Sequence, residues 1–189
     1  MFDSTIQRAL KPLFTRVARG FVQAGIGADA LSWTGFGIGL LAAGAIAFGH
    51  FVAGLVLLLL SRLLDGLDGA VARATQPTDR GGFLDITLDF LFYAAIPLAF
   101  AVADPARNAL PAAVLLAAFM GTGSSFLAFA ALATKRGLTS TALPDKSFYF
   151  LGGLTEATET ITAFVLMCLW PAWFPVIAYS YAVLCTLTT

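Results

Sequence analysis

Four aspartates, Asp65, Asp68, Asp85 and Asp89, fall within 25 residues of a strongly apolar sequence. Asp65 and Asp68 are three apart, and Asp85 and Asp89 are four apart, so each pair shares one face of a helix. An aspartate at the centre of a membrane helix costs roughly 2.5–3.5 kcal/mol, so four left uncompensated cost on the order of 10 kcal/mol. A divalent metal site offsets that cost. Oxygen ligands without His or Cys suit a hard cation, Mg2+ or Mn2+. Four carboxylates can hold two such ions, and ions about 3.5–4 Å apart clamp the attacking and leaving oxygens of a phosphoryl displacement. Other roles are open to intramembrane acids, including proton relay, ion passage and pairing with arginine. Arg62, three residues before Asp65, is placed to neutralise it.

The chain that must position these acids has 189 residues, of which 59% are hydrophobic and only 12% charged. Its mean hydropathy is +0.86. Soluble domains carry about 25% charged residues, so composition predicts an integral membrane protein of one domain, residues 1–189. The net charge is zero, which gives no field for nucleic acid. Cys168 and Cys185 lie in apolar runs and are read as packing residues. The N-terminus lacks a signal-peptide core. Residues 2–24 instead mix Arg8, Lys11, Arg16 and Arg19 with apolar residues every three or four positions. That pattern predicts an amphipathic helix lying on an anionic membrane surface.

A spanning helix needs about 20 apolar residues. Six stretches qualify, at 30–49, 51–73, 82–103, 108–134, 147–169 and 171–188, so residues 30–188 are expected to form an all-α, six-helix membrane bundle. Lys and Arg collect in the N-terminal segment, at Arg73 and Arg80, and at Lys135, Arg136 and Lys146. Six crossings put all of these on one side, with Arg107 alone opposite, which predicts cytoplasmic termini and a cytoplasmic site. Trp170 and Trp173 then mark the far interface, and His50 is expected to be a surface residue at a far-side joint. The second and third spans are joined by a short connection, so they are expected to be antiparallel neighbours with both acid pairs at one depth. Gly69 and Ala72 follow the first two acids by four residues and clear room beside them, while Arg73 and Arg80 stand at the mouth, where they can pair with phosphate.

The run Asp65-Gly66-Leu67-Asp68-Gly69-Ala70-Val71-Ala72-Arg73, followed by Gly81, Asp85 and Asp89, resembles the signature of the CDP-alcohol phosphotransferase family. All eight signature positions are present. The connection from Arg73 to Gly81 is one residue shorter than the family commonly has. The resemblance implies a bacterial inner-membrane homodimer in which a CDP-linked alcohol donates its substituted phosphate to a second alcohol, releasing CMP. It implies metal binding by Asp65, Asp68, Asp85 and Asp89, with Asp89 also the general base. Asp65, Gly69, Ala72, Arg73 and Gly81 would bind the nucleotide end of the donor.

Asp29 and Ser32 stand where the family often has a Pro-Asn-x-x-Thr segment. Ser32 can replace the Thr hydroxyl. Asp29 is read either as a donor contact or as a helix cap. A site in the bilayer suits a lipid donor, CDP-diacylglycerol, whose acyl chains stay in the membrane. The expected acceptor is glycerol 3-phosphate or another phosphorylated polyol, held by Arg80, Lys135, Arg136 and Lys146. Glu156 and Glu159 would oppose a phosphate there unless paired or used to cap a helix, and a serine- or inositol-like acceptor is the alternative. Two other classes compete: an intramembrane prenyltransferase, which also uses Asp-rich metal motifs, and an ion-coupled transporter.

Overall fold

The computed structural model describes residues 3–137 and 155–189, with side chains from residue 11 onward. Those residues are helical throughout their elements: α1 (Asp3–Gln23), α2 (Ala28–Ala47), α3 (Phe51–Ala74), α4 (Asp79–Ala103), α5 (Pro105–Lys135), α6 (Ala157–Leu169) and α7 (Phe174–Thr188), with a 3-10 turn at Pro171–Trp173 before α7. The protein is all-α and polytopic. Among the described residues, four helices are long and apolar enough to cross a membrane: α2, α4, α5, and α7 with its 3-10 turn. α3 equals them in length, with 24 residues, and Arg62, Asp65, Asp68 and Arg73 set it apart in composition.

The expected span at 147–169 is corrected at its start. α6 begins only at Ala157, because Glu156 is its N-cap and the Glu159 side chain accepts from the Glu156 backbone N–H at 3.2 Å. This capping box ends the helix where hydropathy alone does not. With 13 residues, α6 is about 20 Å long, short of a ~30 Å hydrocarbon core. Residues 147–154 lie outside the described residues. His50 is exposed, and Cys168 and Cys185 are buried free thiols.

α3 and α4 are neighbours at their acids, as expected, with Arg62 Nη1 of α3 lying 2.6 Å from Asp89 Oδ1 of α4. α2 packs against both of them. The reason lies in small residues on α2. Lipid tails are as apolar as Leu, so membrane helices associate where small side chains allow close backbones. A Cβ on Gly39 would meet Phe92 Cδ2 of α4 at 2.7 Å and Ser61 Oγ of α3 at 2.9 Å. One turn away, the Ser61 hydroxyl donates to the Gly35 carbonyl at 2.7 Å, fully buried. α2 is thus a wedge seated against both α3 and α4.

Below the acids lies an aromatic core. Phe92, Tyr93, Phe119, Phe164 and Tyr181 meet ring to ring at 5.9–6.3 Å. Phe100 stacks on Phe174 at 4.6 Å. α1 forms a separate cluster in which Phe14, Ala18, Phe21 and Val22 pack with Leu31, Leu67, Ala70 and Val71. Its anchor is Phe14, whose ring occupies the place a side chain at Gly66 would take, 2.6 Å from the Cβ position. The amphipathic helix is therefore fastened to the acidic stretch of α3 itself.

Candidate active site

The acids converge as their spacing implies, but not equally. Single carboxylate oxygens of Asp65, Asp85 and Asp89 all lie within 4.8 Å of one another. Asp65 comes from the C-terminal half of α3, and Asp85 and Asp89 from the first turns of α4. Asp68 is buried, 4% exposed, and its Oδ2 accepts from Ser32 Oγ of α2 at 2.5 Å. Ser32 thus lies against the acids.

The donor set fits a hard divalent cation. All its atoms are carboxylate oxygens, the ligand type that Mg2+ and Mn2+ take, and they lie close enough together to converge on one ion. Asp65 and Asp89 are partly buried and Asp85 is exposed, so the cluster opens toward one end of the bundle.

Arg62 is the residue the sequence undervalued. Its Nη1 lies 3.5 Å from Asp65 Oδ2 but only 2.6 Å from Asp89 Oδ1. Nη2 donates to Ser61 Oγ at 3.3 Å. The guanidinium carbon sits 3.8 Å from the centroid of the Phe92 ring, a cation–π contact. The side chain is 8% exposed. The signal was present in the register. Arg62 is one turn below Asp65 on α3, and Asp89 one turn below Asp85 on α4, so antiparallel helices bring Arg62 and Asp89 to one depth. Wedge residues Gly39, Ser61 and Phe92 carried no such signal, since each reads as ordinary packing.

Around the mouth, Arg73 is exposed and folds back over Gly69, where a Cβ would meet its Nη1 at 3.2 Å. Ala72, the residue before Arg73, is half-buried. Gly81 donates its N–H to Thr78 Oγ1 at 3.0 Å, and a Cβ there would stand 3.8 Å from Asp29 Oδ1. Thr78, not a residue of the signature, caps α4. Asp29 does not cap α2. That position belongs to Gly27, and Asp29 Oδ2 instead pairs with Arg80 Nε at 3.2 Å. The two N-termini of α2 and α4 are tied at this point. Lys135 and Arg136 end α5, both exposed. Lys146 lies outside the described residues.

The sequence model of the CDP-alcohol phosphatidyltransferase family matches residues 28–188, all six helices after α1. The chain belongs to this family and is a CDP-alcohol phosphotransferase, an enzyme that transfers from a CDP-alcohol to a second alcohol. The prenyltransferase and transporter readings lose their footing here. Across all 189 residues the chain is 54% identical to inner membrane protein YnjF of Escherichia coli, spanning 92% of that protein. An archaetidylinositol phosphate synthase of Methanothermobacter thermautotrophicus is 41% identical over 91 residues, 48% of this chain and 43% of that one. Among solved structures, the phosphatidylinositol phosphate synthase of Mycobacterium tuberculosis with CDP-DAG bound superposes with a TM-score of 0.74 at 22% identity, covering 94% of this chain and 89% of that one. The same enzyme with manganese and citrate gives 0.70 at 23% identity, covering 93% and 84%. These two likenesses establish the common fold.

Proposed function

We propose that this protein transfers the lipid-bearing phosphate of CDP-diacylglycerol to the hydroxyl of a phosphorylated polyol and releases CMP. The observation that carries the reading is the convergence of Asp65, Asp85 and Asp89. The acceptor oxygen forms a bond to the lipid-bearing phosphorus as the bond from that phosphorus to the CMP oxygen breaks. The hydroxyl proton passes to Asp89, the general base, the deeper of the two acids along α4. Asp65, Asp68 and Asp85, with Asp89, would hold two divalent ions, Mg2+ or Mn2+. Such ions neutralise the transferring phosphate and the departing CMP. Gly69, Ala72 and Gly81 leave room for the cytidine nucleotide, and Arg73 supplies charge at the mouth. Manganese in the mycobacterial enzyme supports the metal assignment, and CDP-DAG in the same enzyme supports the donor.

Two observations favour a phosphorylated acceptor. Lys135 and Arg136 make no ion pair among the described residues and are exposed at the end of α5. Glu156 and Glu159 form the N-terminal cap of α6, which gives them a structural task other than contacting the acceptor. The names of the archaeal and mycobacterial relatives both specify an inositol phosphate product, so inositol phosphate joins glycerol 3-phosphate as a first choice. A bacterial inner-membrane location is supported by the name of the Escherichia coli relative. Cytoplasmic termini and site follow from the clustered Lys and Arg, with exposed Trp170 and Trp173 at the opposite interface. The functional unit is taken as a homodimer, by family resemblance.

The test is a product assay. Purified protein in detergent with Mg2+ and CDP-diacylglycerol receives inositol phosphate, glycerol 3-phosphate, inositol or serine in turn, and the lipid is identified by mass spectrometry. A product from one of the two phosphorylated acceptors is expected. Product from inositol or serine alone overturns the acceptor class, and no CMP with any of them overturns the reaction.

A further inference from the structure

We propose that Arg62 is a built-in cation that occupies Asp89 in the metal-free protein and is displaced from it when a divalent cation binds. The displacement presupposes the divalent-cation site at Asp65, Asp85 and Asp89 described above.

Asp89 Oδ1 is engaged at 2.6 Å by Arg62 Nη1. The same guanidinium nitrogen faces Asp65 at 3.5 Å. Both acids belong to the three-carboxylate cluster, so Arg62 stands on two of its three members. Without any metal, three carboxylates this close repel one another in a partly buried setting, and one fixed positive charge offsets part of that repulsion. With a divalent cation present, a guanidinium at the same oxygens is a like charge and a competitor for lone pairs.

The seat of Arg62 is also incomplete. Its Nε is buried and has no hydrogen-bond partner among the described residues. Its Nη2 contact to Ser61, at 3.3 Å, is long for a strong bond. A fallback position exists, because the Phe92 ring lies under the guanidinium at 3.8 Å. Loss of the Asp89 contact therefore does not leave the charge without a partner. Arg62 is a positioning residue for the carboxylates of the cluster, and its release frees Asp89 for the chemistry.

The experiment uses full-length protein in detergent, stripped with EDTA and titrated with Mn2+, with free Mn2+ read by electron paramagnetic resonance. R62Q removes the competitor and is expected to bind Mn2+ about tenfold more tightly or better, as loss of a charged competitor at close range implies. Its melting temperature in EDTA should fall below that of the unsubstituted protein, and Mn2+ should raise it by more. R62K keeps the charge without the two-pronged fork and should show a smaller gain in affinity. If R62Q does not fold, R62K carries the comparison. Mn2+ affinity in these variants equal to or weaker than that of the unsubstituted protein overturns the displacement and leaves the metal centre standing. Failure of the unsubstituted protein to bind Mn2+ overturns the metal centre, and the displacement with it.

Discussion

The Ser32 hydroxyl donates to Asp68 Oδ2 at 2.5 Å, from the first turns of α2 to the last third of α3. This bond explains why Asp68 stands apart from the other three acids, and it gives α2 a direct hold on the signature. Ser32→Ala leaves a buried carboxylate without that partner. A lost hydrogen bond to a charged group costs ~1.5–3 kcal/mol, so kcat/KM for CMP release should fall roughly 10- to 150-fold. Ser32→Thr should restore most of it. Unchanged kcat/KM in S32A would show that Asp68 needs no such support.

Asp89→Asn removes the proposed base and keeps the shape of the side chain. Turnover should fall by about 10²–10⁴-fold, the usual contribution of a positioned base. CDP-diacylglycerol binding, followed by isothermal calorimetry, should persist. Retained turnover would take the base role away from Asp89.

Gly39→Ala tests the wedge. Its Cβ would press on Phe92 and Ser61 at 2.7 and 2.9 Å, and overpacking of this kind costs about 1–3 kcal/mol. The melting temperature in detergent should drop, and Mn2+ affinity should change with it, because Phe92 underlies Arg62. A variant as stable as the parent would mean that α2 can shift away without consequence.

Lys135→Ala with Arg136→Ala tests the acceptor assignment. Both side chains are exposed and without ion pairs among the described residues, so stability should change by less than about 0.5 kcal/mol. KM for the phosphorylated acceptor should rise ~10-fold or more with kcat nearly kept, the mark of lost uniform binding. An unchanged KM would assign these cations to membrane anchoring alone.

Much of this architecture was legible because bilayer physics simplifies the reading. Helix α3 was expected at 51–73 and runs Phe51–Ala74, and α5 was expected at 108–134 and runs Pro105–Lys135. Apolar length decides such elements. The start of α6 was not legible that way, because the Glu156–Glu159 cap, a local hydrogen-bond choice, overrides hydropathy. The convergence of Asp65, Asp85 and Asp89 followed from helical spacing and a short connection. The wedge did not, since a glycine at position 39 announces close approach without saying which helix approaches. Arg62 was paired with Asp65 by adjacency in sequence. Its shorter contact to Asp89 depends on register between α3 and α4, which a single sequence encodes only indirectly.

Metal-dependent release of CMP from CDP-diacylglycerol is the decisive measurement. With a phosphorylated polyol and Mg2+, the intact protein should release CMP. Excess EDTA should abolish release, Mg2+ should restore it, and Asp85→Asn should abolish it with Mg2+ present. CMP release that survives both EDTA and the loss of Asp85 would contradict a metal centre at the carboxylate cluster.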